Sequence, residues 1–403
     1  MNRRYEIIEN IIEIGAYLLF IFLFLSKGEG VRNVLLFLNF FLWLITIKYR
    51  KNLSNLYSPV ALLFWGYMIS ILISIFVSID RNYSLTELDD DFLKSLLFFP
   101  VISTVLSDEK RLKRFLFISF FTLILIVSVG FYSYLKYDLP CMMAKTSLKY
   151  ALHNRFARDL NTLLPFSFVL LLIARKTATK IFIIIMIFAT IFAIIMSASR
   201  GGAAAFIITI LIWLLYSLHK KLFRLKPFLA GIALSFIVLG IISYFYIPDV
   251  QKRIQQTKYD VFTINKRLNA WAPLLEAVKD RPIFGWGYGI EIFRTDKPFE
   301  QTPYKVSPYK NDPDVRDPHN AFLGTLFHQG IVGFILYLTM LVLAIKTFWG
   351  NGISNEGLNS YILISCVSIL VGTYVIHALL EVLKFRYLAL IIGIGIATQN
   401  VKK

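Results

Sequence analysis

Arg200 stands between two long apolar runs, in the sequence Ser199-Arg200-Gly201-Gly202. Small neighbours let a ligand approach the backbone closely, and a guanidinium at a helix start binds phosphate well because it presents paired donors. An arginine at a helix end can also reach a membrane surface without binding a ligand, and the pattern is equally compatible with this alternative. Arg200 is therefore a candidate ligand of an anionic lipid headgroup.

Arg267 opens a second segment, which carries apolar residues at helical spacing: Trp271, Leu274 or Leu275, and Val278. This pattern predicts a helix on the membrane surface, with its apolar face in the bilayer boundary and Arg267, one turn earlier, at the level of a phosphate. Pro273 predicts a kink or a restart of that helix. The alternative is an interfacial anchor whose arginine is only solvated.

His319 lies in Asp317-Pro318-His319-Asn320, where a long helical pattern begins. We expect Asp317 to cap this helix and Pro318 to take its first position, which places His319 on the first turn. The positive end of the helix dipole favours a neutral imidazole there, and a neutral imidazole can take a proton from an attacking hydroxyl. A lone histidine is more often structural, and we interpret the other four histidines as structural: His153, His219, His328 and His377.

Two further groups of polar residues flank apolar runs. Glu381 and Arg386 lie near the last predicted outer loop, and a mutual ion pair is the simplest interpretation. A polar and basic cluster lies near the start of the sixth run: Asn154, Arg155, Arg158 and Asn161. This cluster could attract a phosphorylated partner or only balance the charge of lipid headgroups.

The composition requires that membrane helices position these residues. Hydrophobic residues make up 57% of the chain and charged residues 17%, and the mean hydropathy of +0.64 is too apolar for a soluble domain. Lys and Arg outnumber Asp and Glu by 43 to 25. In a membrane protein this excess reports topology, so we expect no nucleic-acid partner. Cys141 and Cys366 show neither a disulfide context nor metal-ligand spacing.

Twelve apolar runs are long enough, or nearly so, to cross a hydrocarbon core of ~30 Å. They cover residues 7–25, 31–48, 58–79, 92–106, 114–135, 158–174, 180–197, 200–218, 227–247, 329–349, 359–378 and 380–398. The sequence therefore predicts an all-α polytopic membrane protein. Its predicted parts are helices 1–9 in residues 1–247, a large loop domain in 248–318, and helices 10–12 in 319–403.

Basic residues concentrate in alternate loops, which predicts that both termini are cytoplasmic and that the loop 248–318 lies outside. Arg3 and Arg4 precede an apolar run without a small-residue cleavage site, so we expect an uncleaved first helix. The sequence has no evident internal repeat and no matching pair of broken helices, as an inverted-repeat transporter would have. The notable charges gather at one membrane boundary, and this favours an enzyme over a transporter.

At these residues the chain resembles the O-antigen ligase family, whose superfamily also holds O-antigen polymerases and bacterial protein O-oligosaccharyltransferases. The first motif is Ser199-Arg200-Gly201-Gly202. The second is Arg267-Leu268-Asn269-Ala270-Trp271, continuing to Arg281-Pro282 and Gly285-Trp286-Gly287. The third is His319-Asn320-Ala321-Phe322-Leu323, continuing to Gly330-Ile331-Val332-Gly333. Their order, spacing and outer placement all fit, and the twelve-helix layout covers essentially the whole chain.

The resemblance implies an inverting, metal-independent glycosyltransferase of GT-C architecture that needs no cofactor. Carried over by motif, Arg200 and Arg267 hold the pyrophosphate of an undecaprenyl-linked glycan, and His319 acts on the acceptor hydroxyl. Asn320 and Arg281 belong to the same motifs and are candidate substrate ligands. The remaining candidate ligands come from the polar groups above: Arg155, Arg158, Glu381 and Arg386.

The acceptor is open at this point, because Asp317-Pro318 precedes the histidine where a common form of the family has a second histidine. The first hypothesis is an O-antigen ligase that joins O-polysaccharide to lipid A core at the periplasmic face of a bacterial inner membrane. A polymerase or a protein O-oligosaccharyltransferase is the alternative enzyme. A lipid-linked saccharide transporter is the alternative of a different class.

Overall fold

The computed structural model describes residues 3–25, 28–50, 52–106, 108–139, 141–146, 148–222, 225–246, 251, 261–310, 318–379 and 385–401. Its α-helices are α1 (Arg3–Phe24), α2 (Glu29–Thr46), α3 (Pro59–Phe76), α4 (Arg81–Thr86), α5 (Leu93–Val105), α6 (Glu109–Tyr137), α7 (His153–Ile173), α8 (Thr177–Met196), α9 (Arg200–His219), α10 (Leu225–Tyr246), α11 (Val261–Asp280), α12 (Ala321–Ser354), α13 (Leu358–Ile369) and α14 (Phe385–Gln399). A π-helical segment (Leu370–Ile376) and a 3₁₀ turn (His377–Leu379) extend α13. Two-residue strands, β1 (Ala144–Lys145) and β2 (Tyr150–Ala151), pair antiparallel between α6 and α7.

The predicted all-α polytopic membrane fold is confirmed. Ten helices in the described residues are long and apolar enough to cross a membrane. Each of the twelve predicted runs falls on a helix, but α5 and α14 are shorter than the other ten. Helices dominate because hydrocarbon cannot bond to a free N–H or C=O, so each spanning segment must pair its own backbone groups.

Contacts between distant segments define two ends of the helix bundle. At one end, which we call the site face, Lys149 Nζ donates to Phe24 O (2.5 Å) and the Tyr387 hydroxyl donates to Leu23 O (2.7 Å). At the opposite face, Arg50 pairs with Glu9 (2.5 Å). A second contact lies at the same face, where Asn400 Nδ2 donates to Asn55 Oδ1 (2.7 Å). Residues near 9 and near 400 therefore lie at the same face.

The segment 271–310 packs, together with Phe327 of α12, around a small apolar core at the site face. Its buried members are Leu274, Ala277, Trp286, Ile292, Phe293, Phe299, Tyr309 and Phe327. The prediction that the apolar face of the α11 segment rests in the membrane is wrong, because that face packs on this core. α11 runs through Pro273 as one helix, so the helix does not restart there and the predicted kink stays a prediction. The large loop thus contains an ordered unit that covers the ends of the spanning helices.

A break in α12 joins this ordered unit, residues 261–310, to the bundle; we call it the outer unit after the predicted side of its loop. Gly330 has φ +63° and ψ −165°, outside the helical region. The chain from Arg281 to Gly287, which we call the docked turn, enters the break. Four backbone hydrogen bonds fill it: Ile331 N–H to Pro282 O (2.7 Å), Val332 N–H to Ile283 O (3.3 Å), Trp286 N–H to Phe327 O (2.9 Å) and Gly287 N–H to His328 O (3.2 Å). The groups released by the break are satisfied by the docked turn.

Glycine is required at position 330 for two reasons. Its positive φ strains residues that have a Cβ, and a Cβ built there would lie 2.3 Å from Ile283 O. The second and third sequence motifs, which are separated along the chain, therefore meet through their backbones.

Candidate functional site

His319 lies in a turn that leads into α12. The helix begins at Ala321, and Asn320 caps it by accepting from the N–H groups of Phe322 (3.0 Å) and Leu323 (3.1 Å). The predicted cap at Asp317, with Pro318 and His319 on the first helical turn, is wrong; Asp317 itself lies outside the described residues. Asn320 takes the cap because its side-chain oxygen satisfies two free N–H groups at once. His319 precedes the helix with φ +46°, and its side chain is partly exposed.

Trp271 connects this turn to α11. Its indole Nε1 donates to Pro318 O at 2.7 Å, directly before His319. Arg267 lies one helical turn before Trp271 on the same helix, so its backbone lies on the helix face that carries this contact. The side chain of Arg267 lies outside the described part of the structure. The second and third motifs thus meet here as well as at the helix break.

Arg200 occupies the predicted helix start, at the first position of α9. The cap is Ser199, whose hydroxyl accepts from Gly202 N–H (3.1 Å) and donates to Asn154 Oδ1 (2.8 Å). A Cβ at Gly202 would lie 2.5 Å from Ala157 Cβ, so glycine lets the start of α9 pack directly against the start of α7. The exposed Arg200 side chain is therefore held beside the polar cluster at the start of α7.

The segment His377–Leu379 links the arginine and histidine motifs. It contacts both α9 and α12. A Cβ at Gly201 would lie 2.8 Å from His377 Cδ2, so this glycine leaves room for the imidazole. A buried histidine thus packs against the first motif, in a segment that also contacts α12.

A cavity of about 750 Å³ opens at the site face. Its walls come from the ends of several spanning helices and from the outer unit, and Ala321 and Arg155 lie at its edge. Its basic residues are Arg32, Lys94, Lys149, Arg155, Arg158 and Arg386, and its acidic residues are Glu29, Glu87, Asp91 and Asp159. Three predicted substrate ligands therefore share one cavity. Arg200 and His319 do not line the cavity. His319 lies two residues before Ala321, which does. Arg200 follows Ser199, whose hydroxyl is bonded to Asn154, the residue before Arg155 of the cavity wall.

The buried charges of the cavity are paired. Arg158 donates to Asp159 Oδ1 through Nε (3.2 Å) and Nη2 (3.0 Å), and Lys149 Nζ donates to the other oxygen of Asp159 (2.5 Å). Arg158 also lies over the ring of Tyr387, 5.0 Å from its centroid. A buried charge is tolerated only with such partners, because it has lost its hydration. An anionic ligand here would have to share these cations with the carboxylates.

Arg386 lies beside a carboxylate that the sequence analysis did not link to it. Its Nε lies 3.9 Å from Asp91 Oδ1, and Asp91 also accepts from the backbone N–H of Phe385 (2.5 Å). Glu381 lies outside the described residues, so its predicted pairing with Arg386 stays a prediction. Asp91 lies in a π-helical segment, Leu88–Phe92.

Tyr374 supplies a buried hydroxyl to the cavity wall. Its side chain is 1% exposed and lines the cavity, yet its hydroxyl finds no hydrogen-bond partner among the described residues. It lies in the π-helical segment after α13, and such insertions are rare and often occur at functional sites. A buried hydroxyl without a partner is costly unless a ligand or water completes it.

Sequence reasoning missed several residues of this cavity, above all Lys149, Asp159 and Tyr374. Asp159 carried a usable signal, since a carboxylate beside an arginine at the start of an apolar run is functional by default. Tyr374 carried none, because aromatic residues are common in spanning helices.

Arg281, predicted to contact substrate, contacts protein groups in this structure. Its Nη1 donates to Val77 O (2.8 Å) at the end of α3, and its guanidinium lies 4.7 Å from the ring centroid of Trp286. Ile79 N–H donates to Trp286 O (3.2 Å). These contacts fasten the docked turn to α3.

Comparison with known proteins agrees with the three motifs. Residues 181–338 match the model of the family described as O-antigen ligase. A ComP-specific O-oligosaccharyltransferase of Acinetobacter baylyi is 29% identical over 227 residues, which cover 54% of this chain and 38% of that protein. An uncharacterized protein of Haemophilus influenzae is 23% identical over 347 residues, which cover 82% of each chain. The matched range contains Arg200, Arg267 and His319, so this part of the chain is similar to the O-antigen ligase family, as the motifs predicted.

Proposed function

We propose that this chain is a membrane glycosyltransferase that moves a glycan from undecaprenyl pyrophosphate to a hydroxyl of lipid A core, at the periplasmic face of a bacterial inner membrane. The observation that carries this proposal is that the three motifs lie at one face of the bundle, where the second and third are in direct contact. Arg200 begins α9, α11 carries Arg267, and Trp271 ties α11 to the turn of His319. Both chain termini are then cytoplasmic.

The donor belongs to the two arginines of the motifs. Arg200 is exposed at a helix N-terminus, where backbone N–H groups and a guanidinium both attract phosphate. Arg267 approaches from α11. Undecaprenyl pyrophosphate is a good leaving group, and two fixed cations stabilise the negative charge that develops as it departs. This scheme assigns no role to a metal ion or a cofactor.

His319 is assigned to the acceptor. Its imidazole takes the proton of the attacking hydroxyl while the acceptor oxygen forms a bond to C1 of the donor sugar. The bond between C1 and the pyrophosphate oxygen breaks, and the pyrophosphate leaves with the electron pair. Attack opposite the leaving group inverts the configuration at C1.

The cavity is assigned to the phosphorylated acceptor. Six basic and four acidic side chains line it, so its excess charge is positive. Arg155 is exposed, whereas Arg158 and Arg386 are buried beside Asp159 and Asp91. Lipid A core carries phosphates that suit this charge.

A protein acceptor is the second candidate, and the relative from Acinetobacter baylyi favours it because its name describes an O-oligosaccharyltransferase specific for ComP. A transporter fits less well. The break in α12 is filled by the docked turn, whereas transporters leave such a break open to substrate.

The test is transfer in vesicles that contain the purified protein and lipid-linked glycan. Lipid A core, a serine-rich acceptor protein, or no acceptor is then added. We expect glycan-capped lipid A core from the first mixture alone. Glycosylated protein would identify an oligosaccharyltransferase, and lengthened lipid-linked chains without acceptor would identify a polymerase.

The residue roles are tested in the same vesicles. Arg200→Ala, Arg267→Ala and His319→Ala should each reduce transfer by at least about 100-fold, because each removes a group that acts in the transition state. Lys should rescue the arginine variants poorly, since it lacks the paired donors. Lys297→Ala, an exposed cation of the outer unit, is the matched control and should be active. An active Arg200→Ala or His319→Ala enzyme would contradict the scheme, as would a loss of activity in EDTA that magnesium restores.

A further inference from the structure

The docked turn packs beside α3, and its depth in the membrane can be measured from the end of that helix. α3 and α12 run antiparallel, with Ser74 Oγ bonded to His328 O and Ser70 Oγ bonded to Gln329 Oε1 (2.9 Å). α3 ends at Phe76. At ~1.5 Å per residue, Ser74 and Ser70 therefore lie about 3 and 9 Å inside the span.

The tip of the turn, Pro282–Phe284, lies at the depth of Ser70, because it is bonded to the residues of α12 that follow Gln329. Pro282 O and Ile283 O accept from Ile331 N–H and Val332 N–H. The tip therefore lies beside the outer part of two membrane spans, although it belongs to the large loop.

The backbone of the tip is held in the break of α12. Pro282 has no N–H, the carbonyls of Pro282 and Ile283 accept from α12, and Gly285 N–H donates to Arg281 O (3.2 Å). Non-helical backbone is tolerated at membrane depth where it packs against protein, as this turn does in the break.

The side chains of the tip point away from the protein. Ile283 is 55% exposed and Phe284 is 39% exposed. Their neighbours on the spanning helices are also exposed and apolar, as Ile331 and Ile335 on α12 show. Such a patch on a water-facing loop would be unfavourable, whereas acyl chains suit it.

We infer that Pro282–Phe284 is a re-entrant tip whose side chains are inserted among the acyl chains of the outer leaflet. Trp286 Nε1 donates to Ala277 O (2.7 Å), so the tip is tied to α11. The inserted tip thereby fixes the height above the bilayer of the helix that carries Arg267. This inference rests on depth and exposure, and it holds for any acceptor.

The experiment measures the depth of a fluorescent probe in the full-length protein. Ile283→Cys is labelled with a nitrobenzoxadiazole probe and reconstituted in phosphatidylcholine–phosphatidylglycerol vesicles. Cys141 and Cys366 are buried, so the introduced thiol is the reactive one among the three. Val306→Cys is the matched control, since Val306 is 59% exposed on the same outer unit.

We expect lipids with a shallow doxyl group to quench the probe at 283 several-fold more than the probe at 306, and aqueous iodide to show the reverse order. Equal iodide quenching at both positions would place the tip in water and overturn the inference. Strong lipid quenching at both would show that the whole unit lies on the bilayer, which also overturns it. If Ile283→Cys fails to fold, Phe284→Cys carries the same expectations.

Discussion

Replacing Tyr374 by Phe removes one oxygen atom from the cavity wall. We expect this substitution to change the stability of the protein and its transfer activity in opposite directions. The hydroxyl is buried and finds no partner among the described residues. Deleting a buried polar group that lacks a partner removes a desolvation penalty, which is about 1–3 kcal/mol for a neutral group. Tyr374→Phe should therefore unfold no more easily than the wild type, and up to about 1 kcal/mol less easily if water partly satisfies the hydroxyl.

The effect on transfer should have the opposite sign. If a sugar hydroxyl of the acceptor completes Tyr374, the variant loses one hydrogen bond, worth about 0.5–1.5 kcal/mol. This corresponds to a roughly two- to tenfold fall in kcat/KM. The bond exists in the ground state and in the transition state, so the fall should appear as a higher KM for the acceptor with a nearly constant kcat.

The assay combines thermal unfolding in detergent with acceptor titration in vesicles. Tyr216→Phe is the matched control, because the Tyr216 hydroxyl is bonded to Ser360 Oγ at 2.6 Å and lies outside the cavity lining. This control should lose about 1 kcal/mol of stability and keep its KM. A large loss of stability in Tyr374→Phe, or a stable variant with unchanged KM, would refute the reasoning.

Two further predictions concern the outer unit. Trp271→Phe keeps an aromatic side chain but loses the indole N–H that donates to Pro318 O before His319. We expect kcat to fall while donor binding, measured by equilibrium titration, stays constant, because only the turn of His319 is released. An equal loss of both would indicate general unfolding. The pKa of Asp296 is lowered by its hydrogen bond from Lys310 and by Ser307 N–H. An ionised carboxylate with a lowered pKa stabilises the fold above its usual pKa near 4, and this stabilisation is lost as the pH falls through the folded pKa. Hydrogen exchange of residues 296–310 should therefore accelerate in the wild type as the pH falls below about 4. In Asp296→Asn the exchange should be fast at every pH, and unchanged protection in that variant would contradict the prediction.

The sequence predicted the spanning helices well because their signal is local. A run of apolar residues must form a helix in hydrocarbon, whatever its neighbours are. Even the weak runs at 92–106 and 380–398 correspond to helices, α5 and α14. The start of α9 at Arg200 was also predictable, since a serine cap and two glycines mark it locally.

Features that depend on tertiary contacts were not predictable. The apolar face of α11 looked like a membrane anchor because periodicity does not say what covers a face, and Leu274 is in fact buried by the outer unit. The cap of α12 was misplaced by three residues, because both Asp317 and Asn320 are good caps and only the fold selects between them. The break at Gly330 depends on a turn that lies more than forty residues earlier in the chain.

The candidate site was predicted in its parts and not in its assembly. The motifs named Arg200, Arg267 and His319 by residue type and order. The cavity beside them is built from helix ends that are far apart in sequence, such as Asp91 with Arg386. No local pattern reports such a pair.

The left-handed backbone of His319 offers a route to chemical complementation. A residue with a Cβ at φ +46° is less stable than glycine there by about 1 kcal/mol. The turn thus favours glycine for its conformation, while the imidazole is present for another reason. In the proposed scheme, glycine at this position would leave the turn relaxed and an imidazole-sized space at the acceptor hydroxyl, and we expect free imidazole in the buffer to enter it. Restoration of turnover by added imidazole would then report on proton transfer, in a variant whose turn is not strained.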